Sequence, residues 1–335
     1  MDFDGVINFL KPSGMTSHDA VAYMRRHLGM KRIGHTGTLD PMAAGVLPLC
    51  VGKGTRIVEY LIEDSKKYRC ELRLGVTTDT LDIWGTETDR RESAAARLTE
   101  AEIMAAASAF AGAQRQKPPM YSAVKIGGKR LYEYARKGVE IEAPEREVYI
   151  NNITVKRIDL ASLAVLFDVE CSKGTYIRSI CAGIGEKLGC GAAMSGLVRL
   201  SSGFFGIEGS HTAEEIARLA SEGRVGEILT PADKPLVNLG MAEIEEAEGS
   251  RRFVNGATVE AGSVAIAGEA GDREDAGGRE GGHGCSEGGI AGADAARFSG
   301  YYRVYGPFGG EERRFLGIGR IKNGALCADK VMVGN

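Results

Sequence analysis

The sequence predicts an α+β fold: a mostly antiparallel mixed sheet with flanking helices, followed by a small C-terminal β-rich domain. Three observations carry that prediction. Helical segments announce themselves by capping residues and period, strand segments alternate strictly between apolar and polar, and the two kinds mix without the regular β–α–β order of a parallel sheet. At 335 residues the chain exceeds one typical domain and suits two, and an apolar content of 43 % is enough to fill their cores.

The elements follow in order. Ser17 precedes a run with Val21, Met24 and Leu28 on one side. The stretch RIGHTGTLDPMAAGVLPLCVGKGTR, residues 32–56, is punctuated by glycine and built for tight turns. In YRCELRL, Tyr68, Cys70, Leu72 and Leu74 share one face while Arg69, Glu71 and Arg73 take the other, the period of a half-buried strand. Thr99 and Glu102 form a capping box ahead of Ile103, Ala106, Ala107 and Phe110. VYINNITVKRI and LAVLFDVEC read as further strands, and CSKGTYIRSICAGIGEKLG as a strand end, a glycine turn and a helix. Thr212 and Glu215 form another capping box before Ile216 and Leu219, and Gly223 ends that helix. A boundary is expected in KPLVNLGMAE, giving domains of 1–240 and 241–335. Short β-like pieces then follow (GATVEAGSVAIAG, YYRVYGPF, RRFLGIGRI), interrupted over 269–296 by a glycine- and acid-rich insertion too poor in apolar residues to offset its ordering entropy.

Several function classes fall away. The N-terminal MDFDGVINFLKP carries acids and too short an apolar run for a signal peptide. No apolar run approaches the roughly 20 residues of a membrane span, so a cytoplasmic protein is expected. Seven cysteines without a C-x-x-C pair argue against a disulfide framework or a zinc ribbon, and the five histidines lack metal-ligand spacing. GKGT at 52–55 lacks the phosphate-loop spacing, and neither G-x-G-x-x-G nor G-x-S-x-G is present in a usable context. No metal and no cofactor is implied, so any chemistry must run on side chains.

Charge is unevenly placed. The net charge is −3, but twelve acids against five bases crowd residues 240–300, which leaves the rest of the chain at +4. Residues 115–137 hold seven bases, one acid and three tyrosines, a pattern suited to phosphates and stacked bases and equally to a solvated basic loop. Asp40 is the lone carboxylate in its glycine-rich stretch. Pro41 pushes it out of helical geometry, leaving it a nucleophile or base, an Asp-Pro turn, or a cap for MAAGVL. Arg178 falls in the first turn of its helix, where the dipole disfavours a cation. It is either a snorkelling surface residue or the partner of an anion, whose pKa it would depress. Tyr68 is either a core residue or a ring poised to stack on a flipped base.

GHTGTLDPMAAGVLPLCVGKGTR resembles the catalytic motif of the TruB-type tRNA pseudouridine synthases, and the likeness continues in order along nearly the whole chain. NFLKPSGMTSHDAV, KKYRCELRLGVTTDTLDIWG, PPMYSAVKIGGKRLYEYARKG and CSKGTYIRSICAGIGEKLGCGAAMSGLVRL are similar to that family's successive motifs, and the C-terminal β segments look like a small PUA domain. The resemblance implies a pseudouridine-synthase-type catalytic domain that isomerises uridine 55 in the tRNA T-loop without a cofactor. It implies Asp40 as the catalytic aspartate and Tyr68 as the ring on the target base, with a lesser role in removing the C5 proton. It implies Arg178 as the aspartate's partner and His35 as the wedge in the T-loop. Lys11, Asp82, Tyr176 and Leu197 match pocket-lining positions, and Lys125, Lys129 and Arg130 belong to an RNA-gripping insertion at about 115–144. The implied partner is tRNA, through its T-arm and, through the C-terminal domain, its acceptor end. A monomer with no obligatory protein partner is expected. The 269–296 insertion departs from the family pattern, and its negative charge would repel RNA.

Overall fold

A computed structural model of the chain describes residues 3–62, 65–139, 141–267, 298 and 300–333; the 269–296 insertion expected from the sequence lies outside them. The larger sheet is laid down in chain order by β1 (Gly5–Lys11), β2 (Ala44–Val51), β3 (Lys66–Leu74), β4 (Gly112–Gln116), β5 (Arg146–Asp159), β6 (Ala164–Cys171), β7 (Ala192–Ser202) and the short β8 (Leu229–Thr230). In space the order is β8-β1-β2-β7-β3-β6-β5-β4, with Ile33–His35 paired to β2 and Phe205–Gly206 to β7. The β2–β7 pair is parallel and its neighbours are antiparallel, as the irregular mixing of strands and helices predicts.

β3 shows how the sequence imposes this. Tyr68, Cys70, Leu72 and Leu74 point into the core while Lys67, Arg69 and Arg73 stay in solvent. That inner face meets α1 (Ser17–Leu28), α2 (Glu100–Ser108), α3 (Ile177–Lys187) and α4 (Ala213–Ser221) through Met24, Ile103, Ile180, Ile184 and Ile216. The Thr99–Glu102 capping box opens α2, and the Thr212 hydroxyl accepts from the Glu215 amide at α4. At α1 the cap is Thr16, boxed with Asp19, one residue before the position expected from the sequence. Ser17 is thereby freed to brace a distant loop, where its hydroxyl accepts from the Leu39 amide at 2.9 Å and lies 3.2 Å from the Leu39 carbonyl.

The stretch MAAGVL is not a capped helical turn. Ala44–Val51 is a buried strand despite Pro48: its ladder to β1 runs unbroken, with Pro48 opposite Asn8, and the proline falls where the other edge of β2 changes partners. Val198 and Arg199 of β7 pair with Ala44 and Gly45, and Ile33–His35 with Leu49–Val51, so no ladder bond is asked of its missing N–H. At Gly45 (φ +109°) a Cβ would lie 2.3 Å from the Arg199 carbonyl oxygen and 2.7 Å from its nitrogen. Only glycine admits that backbone approach.

A second, six-stranded sheet contains β9 (Gly240–Ile244), β10 (Tyr301–Phe308), β11 (Glu311–Lys322) and β12 (Ala325–Val331), with Val259–Glu260 and Val264–Ala267 at its edges. α5 (Ala247–Val254), which the sequence reading missed, lays Phe253 against Ile244, Val304, Leu316 and Leu326. The two sheets share an apolar joint: Val6, Cys50, Ile57, Tyr60 and Leu61 pack with Leu236, Ile318 and Met332. Tyr60 donates to Asp329 at 2.5 Å, Tyr305 to Asp233 at 2.9 Å, and Arg56 to the Val331 carbonyl.

Candidate active site

The Asp40 loop is pinned on both flanks. Ser17 holds the Leu39 backbone on one side. On the other, the Pro41 carbonyl accepts from the Gly14 amide at 2.9 Å and from Lys11 Nζ at 3.2 Å, and Ser13 donates to the Met42 carbonyl at 2.8 Å. Lys11 is fully buried, and its ammonium also donates to Pro12 and Met15 carbonyls. Burial, reinforced by Arg199, lowers its pKa to about 8. It therefore serves the site from beneath, as a strut for the loop. Polar groups held this way fix a side chain within the tolerance that chemistry demands.

Arg178, only 4 % exposed, enters from the first turn of α3. Its Nη2 donates to Asp40 Oδ1 at 3.3 Å and to the Tyr121 carbonyl at 2.9 Å, and its Nη1 donates to the Thr80 carbonyl at 2.9 Å. Its Nε lies 2.9 Å from Asp40 Oδ2 but off the N–H direction, an ion-pair contact without a proper hydrogen bond. Asp82 Oδ2 sits 3.8 Å from Nη1. The Asp40 side chain keeps 36 % of its surface open, so the carboxylate is reachable while its partner is not.

The expected depression of the Asp40 pKa does not hold. Burial in the cleft pushes the carboxyl up from its ordinary value more than Arg178 pulls it down, and the neighbouring Asp82 carboxylate adds to the rise. Arg178 limits the penalty without abolishing it.

Tyr68 stands on β3 opposite Arg199 of β7 and is 9 % exposed. Burial pushes its phenol up, which Arg199 partly counters. His35 ends the short strand on β2, accepts from the Gly37 amide at 3.3 Å through Nδ1, and has its pKa lowered by burial and then by Arg199. It is a neutral ring. Among the described residues no cluster of His, Cys, Asp or Glu could hold a metal ion.

Two matches now decide the family. The profile described as TruB family pseudouridylate synthase, N-terminal domain, matches residues 25–177, and that of the tRNA pseudouridylate synthase B C-terminal domain matches 178–237. A protein named tRNA pseudouridine synthase B from Alkaliphilus oremlandii is 49 % identical over 253 residues, which cover 76 % of this chain and 82 % of the relative. The chain belongs to the TruB family of pseudouridylate synthases.

A further relative bearing that name, from Symbiobacterium thermophilum, is 50 % identical over 217 residues, 64 % of this chain and 72 % of the relative. Among solved structures, the Cbf5-Nop10-Gar1 complex contains a chain that matches with a TM-score of 0.67 at 26 % identity, covering 98 % of this chain and 85 % of that one. The likeness of fold therefore extends over both sheets.

On this TruB scaffold the remaining sequence-selected residues divide. Tyr176 precedes α3; its backbone exchanges two hydrogen bonds with the Gln116 side chain at 2.7 and 3.0 Å, and its ring lies under Arg146. Leu197 is 9 % exposed on β7, opposite Cys70. Lys125, Lys129 and Arg130 stand apart from the carboxylate, all exposed on a hairpin whose turn is Gly127–Gly128, both with positive φ. The segment that carries them still touches the centre, through the Tyr121 carbonyl on Arg178.

Arg199 escaped the sequence reading. It is 1 % exposed, donates to the Val46 carbonyl at 2.7 Å and the Gly37 carbonyl at 3.2 Å, and lies beside a break in the β7 register. The signal was available: strand period puts it on the inner face with Leu197, where a lone arginine demands partners. It ties together the glycine loop, Tyr68 and His35. Arg199→Met is expected to cost about 2–3 kcal/mol by orphaning two carbonyls. Thermal melting reads that loss, and a fall in single-turnover rate reads the misplacement of Tyr68.

Proposed function

We propose that the chain converts uridine 55 in the T-loop of tRNA into pseudouridine. The observation that carries this reading is the half-open Asp40 carboxylate clamped by the buried Arg178 within the segment that matches the family. Isomerisation breaks the bond from N1 to C1′, turns the uracil and joins C5 to C1′; the proton on C5 leaves and N1 gains one. Nothing is oxidised and no group is exchanged with a second substrate. Asp40, as the anion, acts at the ribose, attacking C1′ or removing the 2′ proton. The base must leave its stack, at about a few kcal/mol, and stacking on Tyr68 returns roughly 1–3 kcal/mol. His35 wedges the vacated loop, and Asp82, Tyr176 and Leu197 line the pocket. Lys125, Lys129 and Arg130 meet phosphates of the T-arm.

The second sheet forms, in this reading, a PUA-like RNA-binding domain over 241–335 that reaches toward the acceptor end. The profile matches stop at residue 237 and β9 starts at Gly240, which supports the boundary. Incubation of the purified protein with an unmodified tRNA transcript, followed by carbodiimide-dependent primer extension, tests the whole assignment. A stop at position 55 is expected. Tight binding without any stop would reduce the protein to an RNA-binding module.

A further inference from the structure

The loop between Thr78 and Glu87 spends much of its bonding capacity on rigidity. Thr78 and Thr80 hydroxyls both donate to the Asp82 carbonyl, at 2.7 and 3.2 Å, and the Thr86 amide donates to Asp79 Oδ1 at 2.7 Å. Asp82 Oδ1 accepts from the Thr80 hydroxyl at 2.7 Å and the Trp84 amide at 3.2 Å. Ile83 and Leu81 are stitched to Met194 of β7 through 2.9 and 3.0 Å backbone bonds. Leu81 accepts a left-handed backbone (φ +65°), an uncommon state for a branched residue. A Cβ on Gly85 would fall 2.1 Å from the Thr80 hydroxyl.

So firm a loop would ordinarily seat its large apolar side chains in the core. This one leaves the consecutive residues Ile83 and Trp84 44 % and 43 % exposed. Trp84 is the sole tryptophan of the chain. The same loop supplies the Thr80 carbonyl and the Asp82 carboxylate to Arg178, so the exposed pair is continuous with the catalytic centre.

We infer that Trp84 is a preformed stacking platform for an unpaired nucleobase of the tRNA substrate adjacent to the everted uridine. Every base offers a π-face, so an exposed indole carried by a firmly bonded loop that also contacts Arg178 can receive one with little reordering of the backbone. A protein partner is the competing occupant, but continuity with Asp40 and Arg178 favours the RNA. The inference rests on the proposed RNA substrate.

Indole emission tests it directly, because one residue gives the entire signal. Titration of the intact protein with an unmodified T-arm stem-loop should quench emission saturably. Trp84→Ala should raise KM about tenfold with kcat at saturating RNA largely kept, Trp84→Phe should recover most of that affinity, and thermal melts of both variants establish that they fold. Unmoved emission at saturating RNA, or unchanged KM in a folded Trp84→Ala variant, overturns the platform whether or not the same mixture makes pseudouridine. Intact quenching with no product would instead leave the platform standing and sink the catalytic reading alone.

Discussion

Asp40→Asn is expected to lower the single-turnover rate on tRNA by roughly 10^4-fold or more while leaving RNA affinity and the melting temperature near those of the parent protein. The size of the loss follows from removing the reacting group of a site whose other members only position or polarise. The preservation of fold follows from the bonds of Arg178. With Asp40 neutral the guanidinium still donates to the Thr80 and Tyr121 carbonyls and still faces Asp82, so no buried cation is orphaned. The loop itself is held through Leu39, Pro41 and Met42, none of which depends on the carboxylate. Asparagine keeps the volume and one acceptor oxygen for Arg178 Nη2, while its amide nitrogen replaces the oxygen beside Nε, so the charge and that one contact are lost together. Tritium release from C5-labelled uridine measures the rate, filter binding the affinity, and a thermal melt the fold. A variant that retained a tenth of the parent rate would dismiss Asp40 as the group that acts on the ribose.

How much of this was written legibly in the chain depends on whether the signal was local. The Thr99–Glu102 capping box, the alternation of β3 and the helical face of α3 each need only neighbours within one or two turns of chain, and each is found where expected, whereas at Thr212 only the hydroxyl's half of the box forms and the Glu215 carboxylate lies against His211 instead. β2 was hidden by Pro48, because a proline speaks against a strand unless the change of partner at that point is known, and partners are a property of the sheet. α5 was hidden by its composition, AEGSRRFV, whose single deep anchor is Phe253. The residues of the site were visible as types and motifs, but their energetics were not. Lys11 is expected to line the pocket and is a buried strut under the loop; Arg178 reads as a charge that lowers a carboxyl pKa and is outweighed by the burial it helps to create. Desolvation depends on everything packed around a group, and no spacing in the sequence carries it.

The second large effect follows from that balance. Substituting Arg178 should damage the rate and also move its pH dependence, in a direction the structure fixes. Asp40 must be the anion to act, so activity falls as pH drops through its folded-state pKa. Burial has already raised that value above the ordinary carboxylate, with Arg178 as the chief opposing influence. The acid limb of kcat/KM in the parent protein is therefore expected above the range of a free aspartate, and Arg178→Met should carry it to still higher pH. Arg178→Lys keeps a positive charge, so its acid limb should stay nearer the parent's. A lysine cannot reach Asp40, Thr80 and Tyr121 together, so its plateau rate should still fall by about 10^2 to 10^3-fold. Stability should respond with the opposite sign to an ordinary ion pair. Because folding raises the Asp40 pKa, the native state holds the proton more tightly, and Asp40's contribution weakens as pH climbs through that window. Asp168 is the internal contrast: bridged by Arg69 at 2.8 and 2.9 Å, its pKa is lowered, and its contribution is lost as pH falls. A parent acid limb at the position of a free carboxylate, unmoved by Arg178→Met, would mean that cleft burial does not govern Asp40, and the positioning role given to Arg178 would lose its electrostatic half.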